Sequence, residues 1–166
     1  MHRGTPKDSA HTRVGNNGYF MAYSHVAHDC QVGDSVIMAN GASLAGHVII
    51  EDRVNMAAFA AIHQFCRVGC HAMLAAGTIV IRDVPPYMLA SGDRAHLRGL
   101  NSRGLQRAGF PRESIQALKQ TYRLLYRSGR GLQEACEQVR ESVVQTDEVR
   151  HLLEFLKNPS NRGVTR

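Results

Sequence analysis

The sequence predicts an all-β solenoid, a parallel β-helix of hexapeptide repeats, with a C-terminal α-helical domain behind it. Three observations lead there. An apolar residue returns at every sixth position without a slip: Val14, Phe20, Val26, Val32, Met38, Leu44, Ile50, Met56, Ile62, Val68, Leu74 and Val80. Four places after each comes a small residue or valine, from Gly18 and Ser24 through Cys30, Ala42, Ala60 and Cys66 to Val84. Beyond Pro85-Pro86 this period gives way to apolar stripes spaced three and four apart. A six-residue unit with one large and one small inward position matches neither a helix nor a long two-residue alternation, so it reads as a β-helix.

Residues 1–13 break the register, since Asp8 and His2 stand where apolar residues belong, and they read as an N-terminal arm or loop. Residues 14–85 hold about four coils of 18 residues, enough for a solenoid to fold. The Val-Gly pairs at Val14-Gly15, Val32-Gly33 and Val68-Gly69 fall at multiples of 18, and the glycines read as tight corners of positive φ. Pro85-Pro86 should end the ladder, because proline lacks the N–H that a further rung needs. Residues 86–166 then form the helical domain. Ile115, Leu118, Tyr122, Leu125 and Tyr126 make one stripe between Pro111 and Gly129; Leu132, Ala135, Cys136 and Val139 make a second; Val149, Leu152, Leu153 and Leu156 make a third. A short piece at 101–108 adds another. These helices are expected to cap the solenoid's end, with the final residues NPSNRGVTR as a mobile tail.

Charge narrows the partners. Fifteen of the twenty Lys and Arg lie from Arg82 onward, which suits a phosphate-bearing ligand or an acidic protein. Nucleic acid is not expected, because few aromatics interleave with the basic residues and no nucleic-acid motif is present. The first thirteen residues have no apolar core of a signal peptide, and the longest apolar run, 56–62, is too short to cross a bilayer, so a cytoplasmic protein without transmembrane segment is expected. Cys30 and Cys66 occupy small inward positions, and reduced thiols are the simplest account of the four cysteines.

The chemistry must lie outside the coils. His25, His28, His47 and His63 avoid the inward positions, and residues 18 apart stack at about 4.8 Å. One column is then His28, Gly46 and Gln64, and the next is Asp29, His47 and Phe65. A lone external histidine is ordinary surface. Here Asp29 can hold the ring tautomer, and Gly46 can present an N–H to a developing oxyanion, so the parts of acyl-transfer chemistry coincide. The histidine spacing follows no short zinc signature, and no metal is expected. Ser43 lacks a G-x-S-x-G elbow and reads as a corner residue. Cys70 has no basic partner that spacing fixes and reads as an ordinary thiol.

Taken together, HVAHDCQVG, LAGHV, IHQFCRVG, RDVPPYMLASG, the NxxGLxRxGF of residues 101–110 and YRLLYRSG resemble the acyl-carrier-protein:UDP-N-acetylglucosamine O-acyltransferases of lipid A biosynthesis. The resemblance runs nearly end to end. It implies a left-handed helix, a homotrimer with sites between subunits, and transfer of a 3-hydroxyacyl chain from acyl carrier protein to the sugar 3-hydroxyl. It also implies roles: His28 as general base, Asp29 as its orienter, Gly46 N–H as oxyanion donor, and His47 and His63 on sugar and acyl groups. His25 and Gln64 line the site, Asn101 and Arg107 meet the nucleotide, and Ala76 sets acyl length. No cofactor is implied beyond the phosphopantetheine that carries the acyl chain. The family's early coils, with acidic and lysine residues for the sugar, have no counterpart here. Arg94, Arg103 and Ala108 stand where the family often has a histidine, an acid and a second arginine, which implies an altered nucleotide pocket. Alternatives are an impaired, truncated paralogue serving as a trimeric scaffold or carrier-protein-binding module, and a related N-acyltransferase.

Overall fold

The computed structural model describes residues 1–6 and 10–166; Asp8, part of the expected register break, lies outside them. Twelve two-residue strands recur every six residues: β1 (Arg13–Val14), β2 (Tyr19–Phe20), β3 (His25–Val26), β4 (Gln31–Val32), β5 (Ile37–Met38), β6 (Ser43–Leu44), β7 (Ile49–Ile50), β8 (Asn55–Met56), β9 (Ala61–Ile62), β10 (Arg67–Val68), β11 (Met73–Leu74) and β12 (Ile79–Val80). They stack into three parallel ladders led by β1, β2 and β3, so the solenoid is a three-faced prism. Register is 18 residues throughout, as in Arg13↔Gln31↔Ile49↔Arg67.

The inward columns fill the prism. Met38, Leu44, Ile50, Met56, Leu74 and Val80 are buried against Val36, Ala42, Val48, Val54 and Ala60 of the small column. Val14 and Phe20 were expected inside with them but are 36% and 38% exposed, because the first coil is covered on one side only. Each corner places one residue at positive φ, again at intervals of six: Asn17, Tyr23, Asp29, Ser35, Gly41, His47, Arg53, Phe59, Phe65, His71 and Gly77.

The Val-Gly glycines are not at these positions, which corrects the expectation for them. They are required by close approach. A Cβ on Gly15 would lie 2.3 Å from Asp34 Oδ1, and one on Gly33 2.3 Å from Asp52 Oδ1. Those carboxylates occupy the space the glycines leave and accept from Asn16 N and Asp34 N at 2.6 and 2.7 Å. Gly69 makes room in the same way for Pro86, whose Cδ lies 2.4 Å from where a Cβ would be.

The ladder also outlasts the prolines. Pro85 and Pro86 turn the chain over Gly69, and β13 (Met88–Ser91) then resumes the stack, pairing in parallel with β11 as Met73↔Leu89 and Leu74↔Ala90. Strand β14 (His96–Leu100) folds back antiparallel on it. The helices start only at Ser102: α1 (Ser102–Arg107), α2 (Arg112–Arg127), α3 (Leu132–Ser142) and α4 (Asp147–Lys157). Asn101 caps α1 by accepting from Gly104 N, and Thr146 caps α4 by accepting from Val149 N. Gly129, at φ 77°, ends α2. The apolar stripes pack α3 and α4 on α2, burying Leu118, Val139, Leu152 and Leu156.

The final residues, expected to be mobile, are bonded to the solenoid. Asp83 is fully buried and accepts from Arg67 N at 2.8 Å, Ser160 N at 2.7 Å and Ser160 Oγ at 2.6 Å. Its backbone donates to Gly163 O and accepts from Thr165 N, both at 2.8 Å. A buried carboxylate needs several donors, and the tail supplies them. Among the described residues, no helix is long and apolar enough to cross a membrane.

Candidate active site

The corner between the β3 and β1 faces carries the residues that spacing brought together. His47 N donates to His28 O at 3.0 Å and Phe65 N to Gly46 O at 3.2 Å, so both columns form as the 18-residue period requires. His28 Nδ1 lies 3.0 Å from Asp29 Oδ2. Because the carboxylate accepts, Nδ1 holds the proton and Nε2 is left as the base. The His28 side chain is 42% exposed and that of Asp29 1%, which puts the base at the surface and its anchor inside.

Gly46 does more than offer an amide. A Cβ there would lie 2.5 Å from His28 Cε1 and 2.7 Å from Nε2, so the imidazole rests on the bare α-carbon. Among the described residues the Gly46 N–H meets no acceptor. His47 stands edge-on to His28, ring centroids 5.1 Å apart, and stacks on Phe65 at 4.8 Å. His25 lies one turn earlier, edge-on to the His2 ring at 4.9 Å.

Three further residues hold this corner, and sequence reasoning missed them. Thr5 N donates to Asp29 Oδ1 at 3.0 Å and Thr5 Oγ1 to Oδ2 at 2.8 Å, while Asp29 N donates to Thr12 Oγ1 at 2.9 Å. The arm therefore packs under the carboxylate. No multiple of 18 links Thr5 or Thr12 to Asp29, so the repeat offered no signal for them. The third is Arg162, at the other end of the chain. Its Nη2 lies 2.7 Å from His63 Nδ1 and its Nε donates to Gln64 O at 3.1 Å. His63 Nδ1 is also 3.3 Å from Gln64 O, which would suit a proton on Nδ1. The shorter contact decides, because a guanidinium only donates: Nδ1 accepts and Nε2–H points outward.

His28, Asp29 and His47 present ligand atoms within 4.8 Å of one another. A cation there would have to displace the Thr5 and His28 donors from Asp29. Cys30 and Cys66 fill the small inward column as expected, and burial pushes their thiols up, that of Cys66 to about 12.

The nucleotide and chain-length positions lie elsewhere on the prism. Asn101 and Arg107 line a cleft of about 860 Å³ over the β2 face, together with Arg53, Asn55, His71 and Arg103. Asn101 is already engaged there, donating to His71 O at 2.9 Å and accepting from Gly104 N at 3.2 Å. Ala76 is exposed on the β2–β3 corner, on the side carrying Phe59 and Tyr23. In a three-faced prism the β2 face is opposite the β3–β1 corner, so one chain does not bring Asn101 and Arg107 beside His28.

Comparison with known proteins shows the fold and the family. The family model described as UDP N-acetylglucosamine O-acyltransferase, domain 2, matches residues 83–165. The acyl-[acyl-carrier-protein]–UDP-N-acetylglucosamine O-acyltransferase of Thiobacillus denitrificans is 45% identical over 98% of this chain and 63% of its own length, and that of Anaeromyxobacter sp. (strain K) 47% over the same shares. The crystal structure of the UDP-N-acetylglucosamine O-acyltransferase from Moraxella catarrhalis superposes with a TM-score of 0.94 at 38% identity, covering 99% of this chain and 64% of that one. The acyltransferase from Bacteroides fragilis gives 0.93 at 36%, covering 98% and 63%. The chain thus spans just under two thirds of the length of these relatives.

Proposed function

This chain belongs to the UDP-N-acetylglucosamine O-acyltransferase family, and on that premise we propose that it transfers a 3-hydroxyacyl chain from acyl carrier protein to the 3-hydroxyl of UDP-N-acetylglucosamine, the first step of lipid A biosynthesis. The observation that carries the reading is the His28–Asp29 contact at 3.0 Å with Gly46 beneath the ring. His28 Nε2 takes the proton of the sugar hydroxyl as its oxygen attacks the thioester carbonyl. The resulting oxyanion is held by the Gly46 N–H. The carbon–sulfur bond then breaks, and the departing pantetheine thiolate takes the proton from His28. Asp29 stabilises the imidazolium that exists between these steps. His47, His63, His25 and Gln64 line the sugar and acyl sites, and the apolar corner at Ala76 and Phe59 receives the chain.

Asn101, Arg107 and the basic surface around them meet the UDP phosphates and the acidic carrier protein. Because they face away from His28 in one chain, a complete site forms between neighbouring subunits, which supports the trimer. The reaction draws on cytoplasmic substrates and asks for no metal. Assay of the purified chain with 3-hydroxyacyl carrier protein and UDP-N-acetylglucosamine should give turnover, and His28→Ala should lower it by about 100-fold or more. Turnover untouched by that change removes His28 as the base. Ala76→Gly should lengthen the preferred acyl chain, since it removes a methyl from the corner that receives the chain; product mass spectra with donors of graded length measure it.

A further inference from the structure

A second cluster of reactive side chains lies on a different corner, between the β1 and β2 faces. Cys70 Sγ is 3.6 Å from His151 Nδ1, and His151 Nε2 is 3.1 Å from Glu51 Oε2. The order thiol, imidazole, carboxylate is that of a relay in which an oriented histidine holds the proton of a nucleophile. Spacing could not show it, because His151 lies 81 residues from Cys70 and arrives on α4. Cys70, His151 and Glu51 line an open groove of about 720 Å³ along the β1 face, and all three are half-buried. The site has no part in the acyl-transfer reading, since His28 is on the β3–β1 corner.

We propose that Cys70 is a nucleophilic thiol, positioned by His151 and Glu51, and that it takes soft carbon electrophiles from this groove. The groups in contact with the cluster are Glu51, Arg67, His151 and Tyr87, and Arg13, Asp34 and Asp52 line the same groove. Glu51 accepts from His151 Nε2 and from Cys70 N, the latter at 2.8 Å, and has Arg67 Nη2 at 3.9 Å. Burial works against the Glu51 charge, but His151, Cys70 N–H and Arg67 outweigh it and hold the carboxyl below its usual range. Hydrogen bonds with Cys70 and then Glu51 raise His151 to about 10, against burial, so it is an imidazolium with a proton on each nitrogen at neutral pH. Tyr87 Oη lies 3.0 Å from the same Nδ1. Burial, then Cys70, pushes its phenol up, so it stays protonated, and its oxygen accepts from the Nδ1–H of the imidazolium. The thiolate is the reactive form of cysteine, and a protonated imidazole is the kind of partner that favours it.

With an α-iodoamide the Cys70 sulfur attacks the methylene carbon, the S–C bond forms as the C–I bond breaks, and iodide leaves with the bonding pair. His151 keeps its proton throughout. The test is alkylation of the native full chain with iodoacetamide across pH, read at Cys70 by peptide mass spectrometry beside N-acetylcysteine in the same tube. Cys70 should react about tenfold or more faster than the free thiol near pH 6 and keep its rate where that of the free thiol collapses. His151→Gln should remove the advantage and restore an ordinary thiol profile. A wild-type profile that tracks N-acetylcysteine overturns the proposal without any variant, as does a folded His151→Gln protein that labels at the wild-type rate.

Discussion

Glycines do their work in this protein through what they leave empty. Gly46 has room for the His28 ring because it lacks a Cβ, which would stand 2.5 Å from Cε1. The ring is 42% exposed and can swing into solvent, so Gly46→Ala should displace it at little cost to the fold. We expect kcat to fall by about 100-fold with the melting temperature nearly unchanged, measured by steady-state kinetics and calorimetry on the same preparation. Unaltered kcat would mean that the ring position is not what the reaction needs. The column of His28 over Gly46 was legible in the sequence, because the 18-residue period places them whatever the corner geometry. The steric need for glycine was not. Positive φ, the usual reason for a corner glycine, meets a glycine only at Gly41 and Gly77 in this series and otherwise falls on side chains such as Asp29, His47 and Phe65. Composition at those corners follows function and packing more than backbone preference, so no glycine rhythm marks them.

The elements follow the same division. Two-residue strands were visible because each coil repeats one large and one small inward position, and the helices because their stripes are long. Strands β13 and β14 were hidden, since Pro85-Pro86 breaks the period and the rung that resumes at Met88 is read from pairing with β11, not from repetition. Helix α4 docks partly through charge, with His151 on Glu51 at 3.1 Å. His151 is raised in the fold from 6.5 to about 10, so its contribution is complete below about pH 6.5, declines above that and is gone above about 10. Glu51 is lowered from 4.5, so its contribution is present above 4.5 and lost as pH falls through its folded value. Hydrogen exchange of the α4 amides, corrected for its intrinsic base catalysis, should therefore be slowest between those limits and rise on the alkaline side. His151→Gln should flatten the alkaline rise, and an unchanged slope in that variant would assign the pH dependence elsewhere.

At the scale of the whole molecule, both chain ends converge on the solenoid's chemistry. Thr5 and Thr12 fix Asp29 from one end, and Arg162 fixes His63 from the other. Neither tie was legible, because contacts spanning 24 and 99 residues follow from no periodicity. The tie at the carboxyl end passes through Asp83, fully buried and served by Arg67 N, Ser160 N and Ser160 Oγ. Asp83→Ala should cost about 3 kcal/mol, the scale for buried bonds to a charged group, in urea unfolding. It should also free Arg162, so that nitrogen-15 spectra of His63 show a proton on Nδ1 in part of the molecules. His63 spectra identical to wild type would uncouple the two. Thr165, 3% exposed, sits one residue inside Arg166 and donates to Asp83 O. A protease cutting within residues 160–165 must therefore first peel that strap off the coil. Resistance to such trimming becomes a simple bench report of whether the histidine at the far side of the strap is still being gripped.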